Sequence, residues 1–321
     1  MDPALVARAG PAYEGGMAPS PSDSTTRATA IGAVAILLWA SLALLTTCTG
    51  SVPPFETVAI SFGVASLLSL GKWLVRREDI GRHLRQPAAV WLTGVGGLFG
   101  YHFLYFLSLK TAPPVEANLI NYLWPLLIVL FSALLPGERL RGWHVAGAVL
   151  GLCGTLLLVT DGGRVAFRAE YAAGYASALA CAVTWGAYSV LSRRFGAVPT
   201  DTVGGFCGVT AVLAALCHLA FERTVWPGLG EWLALFLMGA GPTGLAFFVW
   251  DVGMKRGNIK ALGGLSYSTP LLSTLLLVVS GRTRPSFMLA LACLFIIGGA
   301  MLASRDLWAR EEREAAGQTT P

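Results

Sequence analysis

Chemistry in a strongly apolar chain falls to the few polar side chains that lie away from the ends of its hydrophobic runs, and here those are aromatic and amide rather than charged. In the run 87–109, Tyr101, His102 and Tyr105 share one helical face at 100° per residue, and Gly94 and Gly97 continue it. Of the histidines, His102 alone is well inside a run, about 10 Å from its end at 1.5 Å per residue. In the run 115–135, Asn118, Asn121, Tyr122 and Pro125 recur at i, i+3, i+4 and i+7, with Trp124 beside them. The proline removes a backbone hydrogen bond and loosens the helix near its middle. Trp39 and Trp185 hold matching positions in two other runs, with Tyr188 one turn beyond Trp185, and Ser266-Tyr267-Ser268-Thr269-Pro270 is a second polar, proline-broken stretch. Tryptophans often form belts at membrane interfaces, the reading adopted for Trp73, Trp91, Trp143, Trp226, Trp232 and Trp308. Trp39, Trp124 and Trp185 lie too deep for that.

Together these groups offer aromatic faces to stack on, a few directed hydrogen bonds and no deep Arg or Lys. Such a pocket suits a flat, moderately apolar, overall neutral solute. A phosphate ester would need Arg or Lys. Each residue also has a plainer reading: a histidine bonded to a neighbouring helix, glycines that let helices approach, tryptophans that fill a core. The acids Glu56, Glu116, Asp161, Asp201 and Asp251 fall near the ends of runs, so a carboxylate proton relay has no obvious carrier. His102 is the only deep group titrating near neutral pH. Facilitated diffusion is therefore favoured over proton exchange through His102. No GxxxxGK[ST], HExxH or GxSxG occurs, and neither an enzyme nor an ATP-driven pump is expected, nor any cofactor or metal. The six cysteines (Cys48, Cys153, Cys181, Cys207, Cys217, Cys293) show no paired spacing and read as small buried hydrophobes.

The elements that must position these groups follow from composition. Of 321 residues, 55% are hydrophobic and 13% charged, against roughly 25% charged in a soluble domain. A water-soluble globule is excluded. At about 20 apolar residues per bilayer crossing, the runs 28–49, 55–75, 87–109, 115–135, 143–160, 170–192, 201–221, 231–253, 259–280 and 286–304 give an all-α membrane protein of ten spans. They are continuous rather than alternating, which excludes a membrane barrel. Residues 1–27, rich in Ala, Pro, Ser and Gly and without the apolar core of a signal peptide, are expected to be a disordered cytoplasmic tail, with Met17 a possible true start, and 305–321 a second tail.

An internal repeat organises the rest. Gly97-Leu98-Phe99-Gly100 matches Gly241-Pro242-Thr243-Gly244, Asn121–Pro125 matches Ser266–Pro270, Gly154 matches Gly299 and Trp39-Ala40-Ser41 matches Trp185-Gly186-Ala187, all at shifts of 144–146. The halves 28–161 and 170–304 hold five spans each, and an odd number makes the repeat inverted, as in many secondary transporters. Lys and Arg divide 17 to 6 between the two sides, which places both termini in the cytoplasm. The net charge of +5 comes from short clusters between runs. It reflects orientation in a lipid bilayer and not a nucleic-acid partner; a small-molecule substrate is expected, and no obligate protein partner is inferred.

With these residues in place, the chain resembles the ten-span exporters of the drug/metabolite transporter superfamily, EamA type, from about 28 to 304. The resemblance rests on Tyr122-Leu123-Trp124-Pro125, then Pro136-Gly137-Glu138-Arg139, then Gly147 and Gly154; Thr283 replaces the glutamate in the second half. The stretch 112–125 looks like that of the superfamily's aromatic amino acid exporters. The resemblance implies a basket-like bundle with a central cavity and export of Phe, Tyr and Trp across a bacterial inner membrane, with organic cations such as methyl viologen carried by a proton-coupled multidrug or metabolite exporter as the alternative. Its cavity residues would be Tyr101, His102, Tyr105, Asn118, Asn121, Tyr122, Trp124 and Trp185, with Trp39, Tyr188 and Tyr267 behind them. His102→Leu is expected to cut transport in reconstituted vesicles while leaving the yield and monodispersity of the protein unchanged; normal transport rates in this variant would remove His102 from the site.

Overall fold

A computed structural model describes residues 21–163, 165–282, 284 and 286–306, the side chains of 21–23 excepted. Residues 1–20 and 307–321, with Arg8, Trp308, Arg310 and Arg313, and also Arg164 and Thr283, lie outside the described residues. Among the described residues all regular structure is helical. In chain order the long helices are α1 (Ser24–Thr46), α2 (Pro54–Val75), α3 (Ala88–Thr111), α4 (Pro114–Ser132), α5 (Gly142–Thr160), α6 (Ala172–Leu191), α7 (Thr202–Phe221), α8 (Leu229–Arg256), α9 (Ile259–Val279) and α10 (Phe287–Ala303). Eight are long and apolar enough to cross a membrane; α10 is shorter, at 17 residues, and α6 is diluted by glycine, serine and tyrosine. Among the described residues helix is already present at Pro21, inside the stretch expected to be a tail.

The interruptions recur at a common spacing. α3 is broken by a π turn at Gly96–Gly100 and α8 by another at Gly241–Leu245, 145 residues on. α4 loosens at Tyr122–Leu123, just before Pro125, and α9 at Ser266–Tyr267. In the packing, α2 lies along α7 and α5 along α10, while α1 lies along α8 and α3 along α6.

Without water between them, apolar helices are held by close packing, which favours small residues at the contact. A Cβ on Gly147 would stand 2.5 Å from Ala303 N, and one on Gly299 would stand 2.6 Å from Gly147 O. The α5–α10 pair thus needs both glycines. Gly32 and Gly253 do the same for α1 and α8, where a Cβ on Gly32 would come within 2.8 Å of Gly253 Cα.

Charges tie the helix ends together. Glu222, at the end of α7, accepts from Phe55 N at 3.1 Å and Glu56 N at 3.2 Å, satisfying the open amides of α2 where a carboxylate is favoured. His218 Nδ1 is 3.0 Å from the same carboxylate. At the other end of the bundle, Arg193 donates to Met254 O at 2.9 Å, to Gly257 O, and to Glu138 Oε1 at 3.1 Å; Lys260 Nζ holds Glu138 Oε2 at 2.6 Å. Trp73 departs from the expected interface belt. It is buried, stacked on His83 at 5.0 Å and packed close to Gly204 of α7. Cys48 is exposed rather than buried.

Gly147→Leu is expected to lower stability by on the order of 1–3 kcal/mol, seen as a lower Tm of the detergent-solubilised protein. Gly71→Ala, where a Cβ meets nothing within 4 Å, should leave Tm unchanged or slightly raised.

Candidate functional site

Four tryptophans from four helices meet in the middle of the bundle: Trp39 of α1, Trp124 of α4, Trp185 of α6 and Trp250 of α8. Trp39 lies 5.0 Å from Trp250, 5.5 Å from Trp185 and 6.3 Å from Trp124, centroid to centroid. Most of these contacts are edge-to-face, the geometry that sets the positive edge of one ring against the negative face of another. Two indoles are oriented by hydrogen bonds. Trp39 Nε1 donates to Pro242 O at 3.1 Å, inside the π turn of α8, and Trp250 Nε1 donates to Ser189 Oγ at 3.1 Å. Phe247 packs against Trp39 and Trp185, and Phe62 stacks on Phe247 at 5.5 Å.

A polar wall joins this cluster. Tyr101 lies 5.5 Å from Trp185 and runs parallel to Tyr105 at 6.0 Å. Each tyrosine is held by an amide of α4: Tyr105 Oη donates to Asn118 Oδ1 at 2.8 Å, and Asn121 Nδ2 donates to Tyr101 Oη at 3.1 Å. Asn121 Oδ1 is buried and has no partner among the described residues. His102 Nδ1 is 2.7 Å from Leu98 O. A carbonyl can only accept, so the ring proton is on Nδ1 and Nε2 is left as an acceptor. The His102 ring packs edge-on against Phe62 at 5.2 Å and lies 5.3 Å from Tyr101.

Trp39, Tyr101, His102, Tyr105, Asn118 and Tyr122 are half-buried although they are in the interiors of their helices, while Trp124, Trp185 and Tyr188 are buried around them. The structure therefore brings together every residue expected at the site except one. Tyr267 stands apart, fully buried in a second core with Val129, Leu271 and Ile296, its hydroxyl accepting from Leu126 N at 3.1 Å. That amide opens the helical segment after the α4 break, so Tyr267 mends the backbone there rather than facing the aromatic cluster. Gly94 and Gly97 also act by packing: a Cβ on either would strike the rings of Phe206 and Tyr188.

Trp250, Phe247 and Phe62 were not anticipated. A signal existed for two of them, since Trp250 and Phe247 stand 145 residues after Tyr105 and His102, the shift of the repeat. Phe62, in a continuous apolar run, gave none. A possible cation cluster, Glu78, His83 and Asp201 with ligand atoms within 4.8 Å, lies far from this site at the end of α2. Lys72 Nζ is already 2.5 Å from Asp201 Oδ1, supplying the positive charge.

Residues 27–160 and 172–305 each match the EamA-like transporter family, so the chain belongs to that family and is a multi-pass membrane protein. Among its relatives, the aromatic amino acid exporter YddG of Ancylobacter novellus is 56% identical over 282 residues, covering 88% of this chain and 98% of that protein. The aromatic amino acid exporter YddG of Escherichia coli is 26% identical over 293 residues, covering 86% and 96%. A solved crystal structure, 56% identical, covers 88% of this chain and 99% of its own with a TM-score of 0.83.

Tyr267→Phe is expected to cost about 1–3 kcal/mol, the penalty for leaving the buried Leu126 amide unpaired, and so to lower Tm. Substrate affinity in this variant should stay within twofold of the wild type if the hydroxyl acts only on the backbone.

Proposed function

We propose that this chain exports amino acids, chiefly Phe, Tyr and Trp, across a bacterial inner membrane. The observation that carries the reading is the tryptophan cluster edged by hydrogen-bonding groups, His102 Nε2 and the amide of Asn121, with no Arg, Lys, Asp or Glu among them. The rings stack on or close over an aromatic side chain, while His102 and Asn121 bind the amino and carboxylate groups. The names carried by the relatives agree with this substrate class.

The transporter works by alternating access between two inverted repeats of five spans, 28–161 and 170–304, around a central cavity, with both termini in the cytoplasm. Recurrence of the π turns and the pairing of α2 with α7 and α5 with α10 support the repeat; the excess of Lys and Arg on one side supports the orientation. Half-buried aromatic residues deep in the bundle support the cavity. The protein acts as a facilitator and not as an enzyme. Among the described residues Asp251 is the one acid buried inside a long helix far from its start, and Lys255 already neutralises it at 2.8 Å.

The test is uptake of labelled Phe and Thr into vesicles holding the pure protein, with and without a pH gradient. Saturable Phe uptake without a gradient is expected, and Trp185→Ala should reduce it roughly five- to hundredfold, given that one ring-stacking contact is worth roughly 1–3 kcal/mol. Accumulation only under a gradient would replace the facilitator with proton exchange. Failure of both solutes to enter beyond empty vesicles would return the substrate to the wider class of metabolites and organic cations.

A further inference from the structure

On the side of the bundle that carries Arg193, and which we assign to the cytoplasm, α3, α6, α7 and α8 enclose a cavity of about 20 Å3 open to the centre of a water molecule. That is room for about one water. One wall is an ion pair within α8: Lys255 Nζ lies 2.8 Å from Asp251 Oδ2, and the side chains are only 6% and 5% exposed. Thr200 Oγ1 donates to Asp251 Oδ2 at 2.6 Å, and Lys255 Nζ donates to Val198 O at 2.9 Å. Two more hydroxyls line the cavity, Tyr188 Oη and Thr202 Oγ1; both are buried, Thr202 Oγ1 has no hydrogen-bond partner among the described residues, and Tyr188 Oη has only the Ser192 side chain close by.

Neither feature is explained by folding. A buried ion pair is seldom more stable than apolar residues of the same volume, and buried polar atoms are nearly always satisfied unless something else answers them. Side by side, they complement a zwitterion. Asp251 offers a carboxylate to an ammonium, while Lys255 and the two hydroxyls offer donors to a carboxylate. The set is neutral overall, so a zwitterion exchanges partners with the pair and brings no net charge into the low-dielectric interior. The cavity also adjoins the aromatic cluster, because the Tyr188 ring lies 5.2 Å from Trp185.

We propose that this is a head-group subsite, where an amino acid arriving from the cytoplasm binds its α-ammonium to Asp251 and its α-carboxylate to Lys255, Thr202 and Tyr188 before its side chain reaches the tryptophans. The proposal rests on the amino acid reading above and deepens it. The cavity widens when its walls separate. Gly94 comes from the part of α3 before its π turn, and Asp251 and Lys255 come from the part of α8 after its own, so bending at either turn moves one wall from the other.

The full-length protein in vesicles is tested with three labelled solutes that differ only in the head group: Phe, phenethylamine and 3-phenylpropanoate. Lys255→Gln leaves Asp251 unopposed and should raise the Vmax/KM ratio of phenethylamine to Phe roughly tenfold; Asp251→Asn should raise that of 3-phenylpropanoate to Phe by as much, one charge-assisted contact in each case. Thr202→Val removes a donor to the carboxylate, so it should lower Vmax/KM for Phe and 3-phenylpropanoate severalfold together and raise the phenethylamine-to-Phe ratio by the same factor. A packing defect would slow all three solutes alike. Charge variants that still carry Phe with wild-type ratios overturn the subsite alone. Should those variants fail to fold, Thr202→Val and Tyr188→Phe decide, and an unchanged phenethylamine-to-Phe ratio in both overturns it. A wild type that carries none of the three sinks the amino acid reading and the subsite with it.

Discussion

Everything in this molecule answers to one constraint: in an apolar surrounding, a backbone N–H or C=O without a partner costs several kcal/mol, so the chain is helix wherever it can be and supplies a substitute wherever it cannot. The breaks in α3, α4 and α8 show the substitutes at work. Tyr267 Oη takes the Leu126 amide, Trp39 Nε1 takes the Pro242 carbonyl, and Thr243 Oγ1 takes the Met238 carbonyl at 2.8 Å. His102 does the same with Leu98 O. Two of these four, Trp39 and His102, are also residues of the candidate site. The interruptions that open the middle of the bundle thus fix the orientation of side chains that would meet a solute there.

Close approach is the second consequence. Helices of Leu, Val and Ala gain nothing over lipid by merely being apolar, so what joins them is geometric fit. Glycines on both partners let α5 and α10, and α1 and α8, touch backbone to backbone. Because α2 packs on α7 and α5 on α10, a substitution in one helix of either pair is felt by the other.

Charge is kept to the margins, with one exception. The Glu222 and Glu138 clusters lock the two ends of the bundle through helix termini and loops, where they satisfy open backbone groups. The Asp251–Lys255 pair lies in the last two turns of α8, its side chains only 5% and 6% exposed. It is the place where polar chemistry approaches the aromatic cluster from one side of the membrane, and its neutrality as a set is what makes such a position tolerable.

Sequence alone determined the helical class and the approximate limits of the helices, and it singled out most of the residues that the structure brings into the aromatic cluster. Apolar runs and the 3.6-residue period are local properties, and a helix that satisfies its own backbone needs no partner to declare itself. Tyr101, Tyr105, Asn118, Asn121, Trp124 and Trp185 were legible because each is a polar or aromatic side chain out of place in an apolar run. What only the tertiary structure decided is which faces meet. A period says that Tyr267 and Trp185 each point somewhere. It does not say that one mends a neighbouring helix and the other joins the tryptophans, nor that Trp73 is buried against α7 and His83. Phe62 looked like any core phenylalanine until α8 brought Phe247 against it. The π turns carry the same lesson, since an extra residue in a turn rotates all that follows, and the glycines that permit it are indistinguishable in sequence from the many that serve packing alone.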